Sequence, residues 1–173
     1  MLFRSLPNPY EVYIGLEAGA ASIRNFEPIV VPDLLQTEEY ARQMSKNRPR
    51  ELDRDDIDRR VQVRMERQRI LTREDRPRLW AVVDEAVIRR VVGGPEVMRE
   101  QLQHLIDCAE QGKTTLQVVP FGAGAHAGTT GPFIILDFAE PTDPAVVYVE
   151  TLAGDIYLEA PTDVDRYTLA FDR

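Results

Sequence analysis

Two short apolar runs separated by small residues dominate the pattern of the chain. Residues 114–121 (TTLQVVPF) and 132–138 (PFIILDF) flank a glycine-rich stretch, GAGAHAGTTG, at 122–131. In the first run Leu116 and Val118 alternate with Val119 and Phe121, and in the second Phe133 and Ile135 alternate with Ile134 and Leu136. Strands that are apolar on both faces belong inside a sheet covered on both sides. The stretch between them is too long for a tight hairpin and too rich in glycine for a packed helix. It is expected to be a mobile or ligand-facing segment that forms the rim of a pocket.

The remaining periodicities place helices before these strands and more strands after them. Tyr13, Leu16, Ala20 and Ile23 recur at helical spacing, which predicts a helix over 9–24 with a proline at its start. Pro28 and Pro32 break regular structure on either side of an Ile-Val-Val run. Thr37 reads as the N-cap of a short helix whose apolar side is Tyr40, Ala41 and Met44, with Glu38 and Glu39 complementing the dipole. Asp53, with Asp56 three residues on, caps a helix over 54–71 whose apolar line is Ile57, Val61 and Met65. Asp55–Arg59 and Asp56–Arg60 are its supporting pairs.

Residues 79–88 (LWAVVDEAVI) read as a strand whose end delivers Asp84 and Glu85. Gly93, Gly94 and Pro95 then open a helix to about residue 111, with Met98, Leu102, Leu105, Ile106 and Ala109 as its buried stripe and Gly112 as its stop. His104 and Cys108 lie one turn apart at the margin of that stripe and read as boundary packing. A third strand at 145–151, a fourth at 156–159 and a last helical turn capped by Thr162 or Asp163, with Val164, Tyr167 and Phe171, complete the chain. The order predicts one α+β domain over 1–173: N-terminal helices, mainly in 1–78, packed with a roughly five-stranded mixed or antiparallel sheet in 79–173.

Composition narrows the functional classes. The 173 residues are 43% hydrophobic, enough for one core. No run approaches a membrane span and MLFRSLPNPY lacks the apolar centre of a secretory signal, so a cytoplasmic location with no membrane contact is expected. One cysteine and two histidines exclude a disulfide framework and a Cys/His zinc site. The net charge of −8 is uneven. Residues 46–78 hold 12 basic and 8 acidic residues, a balance of +4, whereas 137–173 hold 2 and 9, a balance of −7. Acidic residues interrupt the basic stretch throughout, so it reads as a solvated helix laced with ion pairs and not as a surface for phosphates. Arg67 and Gln68 are the positions of the 54–69 helix suited to a partner surface or an anionic ligand.

The candidate chemistry centres on the loop. Its glycines lead into a strand and not into a helix N-terminus, which rules against a dinucleotide fingerprint. His126, flanked by alanines and glycines, is the leading acid-base or hydrogen-bonding candidate. Glu85, Asp84 and Glu150 are carboxylates at strand ends, and two that approached each other would have separated pKa values. Trp80, Phe121, Phe133, Tyr148 and Tyr157 suit either a core or an apolar ligand pocket. No nucleophile elbow, phosphate loop, metal-ligand helix or Ser-His-Asp pattern is present, and no cofactor or metal is expected.

Several phrases together resemble a known family. FEPIVVPDLLQTEEYAR (26–42), RMERQRIL (64–71), VDEAVIRRVVGGPEVMREQLQHL (83–105), QVVPFGAGAHAG (117–128) and VVYVET (146–151) are similar, in the same order, to the uncharacterised domain that follows an Xre-type helix-turn-helix in actinobacterial regulators. In that pattern a glycine stands where this chain has Asp33. The resemblance implies a sensor domain for a small molecule or partner, here without DNA-binding helices and so with no nucleic-acid binding of its own. The expectation is therefore a ligand-binding regulatory domain, with Trp80, Asp84, Phe121, His126, Phe133, Tyr148 and Tyr157 around the ligand and homodimerisation admitted. The alternative is a stand-alone, cofactor-independent enzyme of secondary metabolism, cyclase or isomerase in type, using His126 with Glu85 or Glu150.

Overall fold

A computed structural model describes residues 8–47, 53–112 and 114–173. Residues 1–7, used above against a secretory signal, and Arg48, Arg50 and Glu51 of the basic stretch lie outside the described residues. The described elements are α1 (Asn8–Gly19), β1 (Ser22–Glu27), α2 (Glu38–Lys46), α3 (Arg54–Arg67), β2 (Arg78–Asp84), α4 (Glu85–Arg89), α5 (Pro95–Glu110), β3 (Thr114–Val119), β4 (Phe133–Asp137), β5 (Val146–Thr151), β6 (Gly154–Leu158) and α6 (Pro161–Asp172). They form an α+β fold around one six-stranded mixed sheet of order β3-β2-β1-β4-β5-β6. β1 and β3 run parallel to β2, while β4, β5 and β6 pair antiparallel.

The largest departure from the sequence reading is β1. The helix expected over 9–24 stops at Gly19, and Ser22–Glu27 (SIRNFE) is a central strand within the part read as mainly helical. Its polar residues hide it from a hydrophobic pattern. Strand residues alternate between faces, so Ile23, Asn25 and Glu27 share one face and Arg24 and Phe26 the other. Arg24 is held across the ladder by Asp137, 3.1 Å away.

The alternation separates two cores. On the first face Ile23, Leu79, Ala81, Val83, Leu136 and Tyr148 pack under α1, α2 and α5, together with a 3-10 turn at Asp33–Leu35. On the second face Phe26, Phe133, Ile135 and Val147 pack under α6 through Phe171. β4 is covered on both sides as expected. β3 is not, because it forms one edge of the sheet, and its Val118 is 41% exposed.

Local signals set most element ends. Thr37 Oγ1 accepts the N–H of Tyr40 and an Asp53 carboxylate oxygen accepts that of Asp56, the two N-caps expected. Asp84 caps α4 in the same way, through Ala86, so the strand read in 79–88 ends at Asp84, where it delivers Asp84 and Glu85 as expected, and turns into a helix. α3 ends at Arg67 and continues as a 3-10 turn, Gln68–Thr72. Asp56 pairs with Arg59, three residues on, at 2.9 Å. On α5, Met98 and Leu105 are buried, but Ile106 is half exposed, and Gln101 takes a buried place in the stripe. α6 starts with Pro161 in its first turn, two residues before the expected cap at Asp163.

The glycine-rich loop folds as two short 3-10 turns pressed onto the second core. A Cβ built on Gly128 would stand 2.2 Å from the Phe26 ring, so only glycine fits that approach. Gly128 and His126 therefore rest on Phe26, and no residue of 122–131 lines the cavity described below, where the loop was expected to form a rim.

Candidate functional site

A cavity lies on the first face, at the carboxyl ends of β1 and β5. It has a volume of about 390 Å³. β1, where the parallel and antiparallel halves of the sheet meet, supplies Ile23, Asn25 and Glu27 to its floor, and β5 supplies Tyr148 and Glu150. α1 contributes Tyr10, Tyr13 and Glu17, and α3 contributes Arg64 and Arg67. Ile29, Val30, Leu34 and Met44 are apolar members of its wall.

A buried polar cluster fixes this wall. Arg67, whose side chain is 4% exposed, donates from Nε and Nη2 to both oxygens of Glu17, and from Nη1 to the hydroxyl of Tyr10 and to Asp33. Its guanidinium also lies 5.1 Å from the centre of the Tyr13 ring, which stacks on Tyr148 at 4.1 Å. Tyr13 in turn donates to Glu17 at 2.7 Å. Arg64 donates to Asp33 and to Gln36. Both guanidiniums are thus committed to groups of the wall itself.

The segment Asp33–Leu35 is clamped from three sides, which keeps the cavity open. The Gln36 side chain donates to the Val31 carbonyl, that of Gln68 to the carbonyls of Asp33 and Gln36, and that of Gln101 to the carbonyl of Leu35 while accepting the N–H of Thr37. Tyr40 accepts the N–H of Val31 through its hydroxyl. Arg67 and Gln68 face this interior, so neither is available to a protein partner. Asp33 has an ordinary backbone, since no described non-glycine residue has positive φ. The aspartate at this position leaves the turn unstrained and brings a carboxylate to the cavity.

Burial of the cavity wall shifts several groups. Burial first, then the charges of Asp33 and Glu150, push the Glu27 carboxyl from 4.5 up to about 8, against a smaller opposing effect of Arg64. Glu27 is therefore mostly protonated at neutral pH. Burial and the neighbouring Glu17 raise the Tyr13 hydroxyl, and burial with Glu150 and Asp155 raises that of Tyr148. Burial also pushes Tyr157 up to about 12.

The residues expected from sequence fall into two separate places. Glu150 and Tyr148 line the cavity. Phe133 borders it, but its ring packs on the second face against Phe26, Tyr167 and Phe171. Tyr157 packs beside Tyr148 with ring centres 5.4 Å apart, outside the lining. Asp84, Glu85, Phe121 and His126 form another group, at the end of β2 and under the loop. His126 accepts the N–H of Gly128 through Nδ1 at 3.2 Å, sets Nε2 3.7 Å from Asp84 and meets Phe26 edge-on.

Glu85 accepts the N–H of Phe121 at 2.7 Å and pairs with Arg89. Both interactions, the Phe121 bond first, hold its carboxyl below the usual range, so Glu85 anchors the loop and is a poor proton donor. Trp80 is on the second face, edge-on to Phe171 and donating to Gln117. Glu85 and Glu150 are rooted at β2 and β5, which stand three strand positions apart, about 14 Å at 4.8 Å per step. Of the expected pairings of His126 with Glu85 or with Glu150, the sheet order sets Glu150 apart, while Glu85 follows Asp84 at the end of β2 that His126 approaches.

Glu27 and Asn25 were missed as site residues because β1 was not recognised as a strand, and Tyr13, Glu17 and Arg64 because helical spacing does not show which face meets the cavity. A signal was present: amide and carboxyl groups two apart, Asn25 and Glu27, in a stretch leading to Pro28.

The fold and the cavity together define an α+β domain with a recessed, acid-lined chamber on one face of its sheet. Within the described residues no group of histidine, cysteine and carboxylates could hold a metal ion, and no helix is long and apolar enough to cross a membrane. The chain belongs to the family described as Domain of unknown function (DUF5753), whose model matches residues 10–173. No curated protein and no solved structure matches it.

Proposed function

We propose that this chain is a small-molecule-binding domain, regulatory in role and cytoplasmic, related to the sensor part of actinobacterial Xre-type regulators. The observation that carries the reading is the 390 Å³ cavity, within the range of about 300–1,000 Å³ common for ligand pockets. Like such pockets it combines apolar side chains with polar and charged groups in its lining. The paired state of the α3 arginines supports the absence of DNA binding by this chain alone: Arg59, Arg64 and Arg67 all engage carboxylates.

A mixed-charge fragment collection, read by thermal shift and by NMR, tests this. Fragments should perturb residues of the cavity and lose binding in Ile29→Trp, which adds bulk to a half-exposed position of its wall. Fragments that bind only over the second face, or none at all, would overturn the proposal.

One observation favours a second reading, a cofactor-independent enzyme of cyclase or isomerase type. Glu27 holds its proton to about pH 8 beside Glu150 and Asp33, which supplies an acid and a base in one recess. In that reading Glu27 replaces His126 and Glu85 as the proton donor. Turnover of a cavity ligand that is lost in Glu27→Gln, followed by mass spectrometry, would establish it. Binding without turnover would discard it.

A further inference from the structure

The ligand class can be read from which hydrogen-bonding capacity in the cavity is already used. Four carboxyl groups (Glu17, Glu27, Asp33, Glu150) and two guanidiniums (Arg64, Arg67) line it. The guanidiniums are committed: Arg67 to Glu17, Tyr10 and Asp33, and Arg64 to Asp33 and Gln36. The donors of both guanidiniums are thus consumed inside the wall, and the Glu27 carboxyl is the group this network does not reach. No hydrogen bond or ion pair reaches the Glu27 side chain among the described residues.

Asn25 supplies an independent sign. It is only 4% exposed, stands two residues before Glu27 on the same face of β1 and lines the same floor. Its Oδ1 is enclosed and has no hydrogen-bond partner among the described residues, so a donor in the cavity meets it when the side chain turns toward the space. A buried acceptor without a donor is costly, and native proteins rarely retain one that nothing fills. Ile29, Val30, Leu34 and Met44 line the same cavity, so the space is amphipathic, with polar groups of β1 for hydrogen-bond donors and apolar side chains for hydrocarbon.

We propose that the cavity takes an organic cation with an apolar body, a protonated amine or its like, whose N–H groups bind at Asn25 and Glu27. This rests on the ligand-binding reading above and adds the ligand's charge. Glu27 carries a proton in the empty domain at neutral pH, and a cation beside it favours the carboxylate, so binding expels that proton.

Three matched probes separate the charge classes on one hydrocarbon body: phenethylamine, 2-phenylethanol and phenylacetate, titrated into the whole chain at pH 7 and followed by NMR. The amine should bind at cavity residues in preference to the other two. Its binding should release protons, read by calorimetry in buffers of differing ionisation enthalpy. Glu27→Gln keeps the shape of the protonated side chain and should weaken the amine about tenfold to hundredfold, the scale of a hydrogen bond to a charged group. If the alcohol or phenylacetate binds in the cavity as tightly as the amine, or the amine binds without proton release, the cation assignment falls and the ligand-binding reading stands. If no probe and no library fragment reaches the cavity, both fall.

Discussion

Replacing Glu27 by glutamine should make the domain more stable, and increasingly so as the pH rises. The side chain sits in a recess with Asp33 and Glu150, and its carboxyl titrates near 8 in the folded chain against an ordinary value of 4.5. Below pH 4.5 the carboxyl is protonated folded and unfolded, so the two proteins should be equally stable. From 4.5 to 8 the unfolded chain loses the proton and the folded one keeps it, so wild-type stability falls relative to the variant. Above 8 the folded chain holds a buried carboxylate and the whole penalty is present. The interval, 8 − 4.5 = 3.5, sets an upper bound of about 5 kcal/mol at 1.36 kcal/mol per pH unit. Water in the cavity screens the charge, so an observed gain of about 2–4 kcal/mol at pH 9 is expected. Urea unfolding of both proteins at unit steps from pH 5 to 9 measures it. A difference that stays flat across this range, or a variant less stable than wild type at pH 9, would refute the reasoning.

Other substitutions probe the rest of the account. Arg67→Met strands the buried Glu17 carboxylate and should cost about 3–5 kcal/mol in chemical unfolding, most of it recovered when Glu17 is also replaced by methionine. Gly128→Ala drives a methyl into the Phe26 ring and should cost about 1–3 kcal/mol. Gly122→Ala, in the same loop with nothing within 4 Å of its Cβ position, should be near neutral, both measured by urea unfolding. His126→Ala and Glu85→Gln should leave ligand affinity in the cavity unchanged, since both residues belong to the loop on the second face. A loss of affinity in either, measured by NMR titration, would return the loop to the site.

The parts legible in the sequence are those in which local chemistry and burial agree. Thr37 and Asp53 announce helix starts because a short polar side chain before an apolar periodicity has one dominant use, and β4 is legible because both of its faces are covered. β1 was illegible for the opposite reason. Asn25 and Glu27 put polar groups on a face that elsewhere holds Leu79, Ala81 and Val83, and this departure from pattern marks the cavity floor. The glycine-rich stretch misled because small residues signal either mobility or close packing, and Gly128 serves the second. RMERQRIL was legible as a helix, but its partners lie 28 to 50 residues away, at Gln36 and Glu17, beyond the reach of periodicity.

A crystal of the chain grown with phenethylamine gives the most direct measurement of whether the recess on the first face is the working site. Difference density bridging Asn25 and Glu27, with the phenyl ring against Ile29, Val30 and Met44, is the predicted result. A recess closed by its own side chains, or a ligand seated beside His126 on the opposite face, would contradict it.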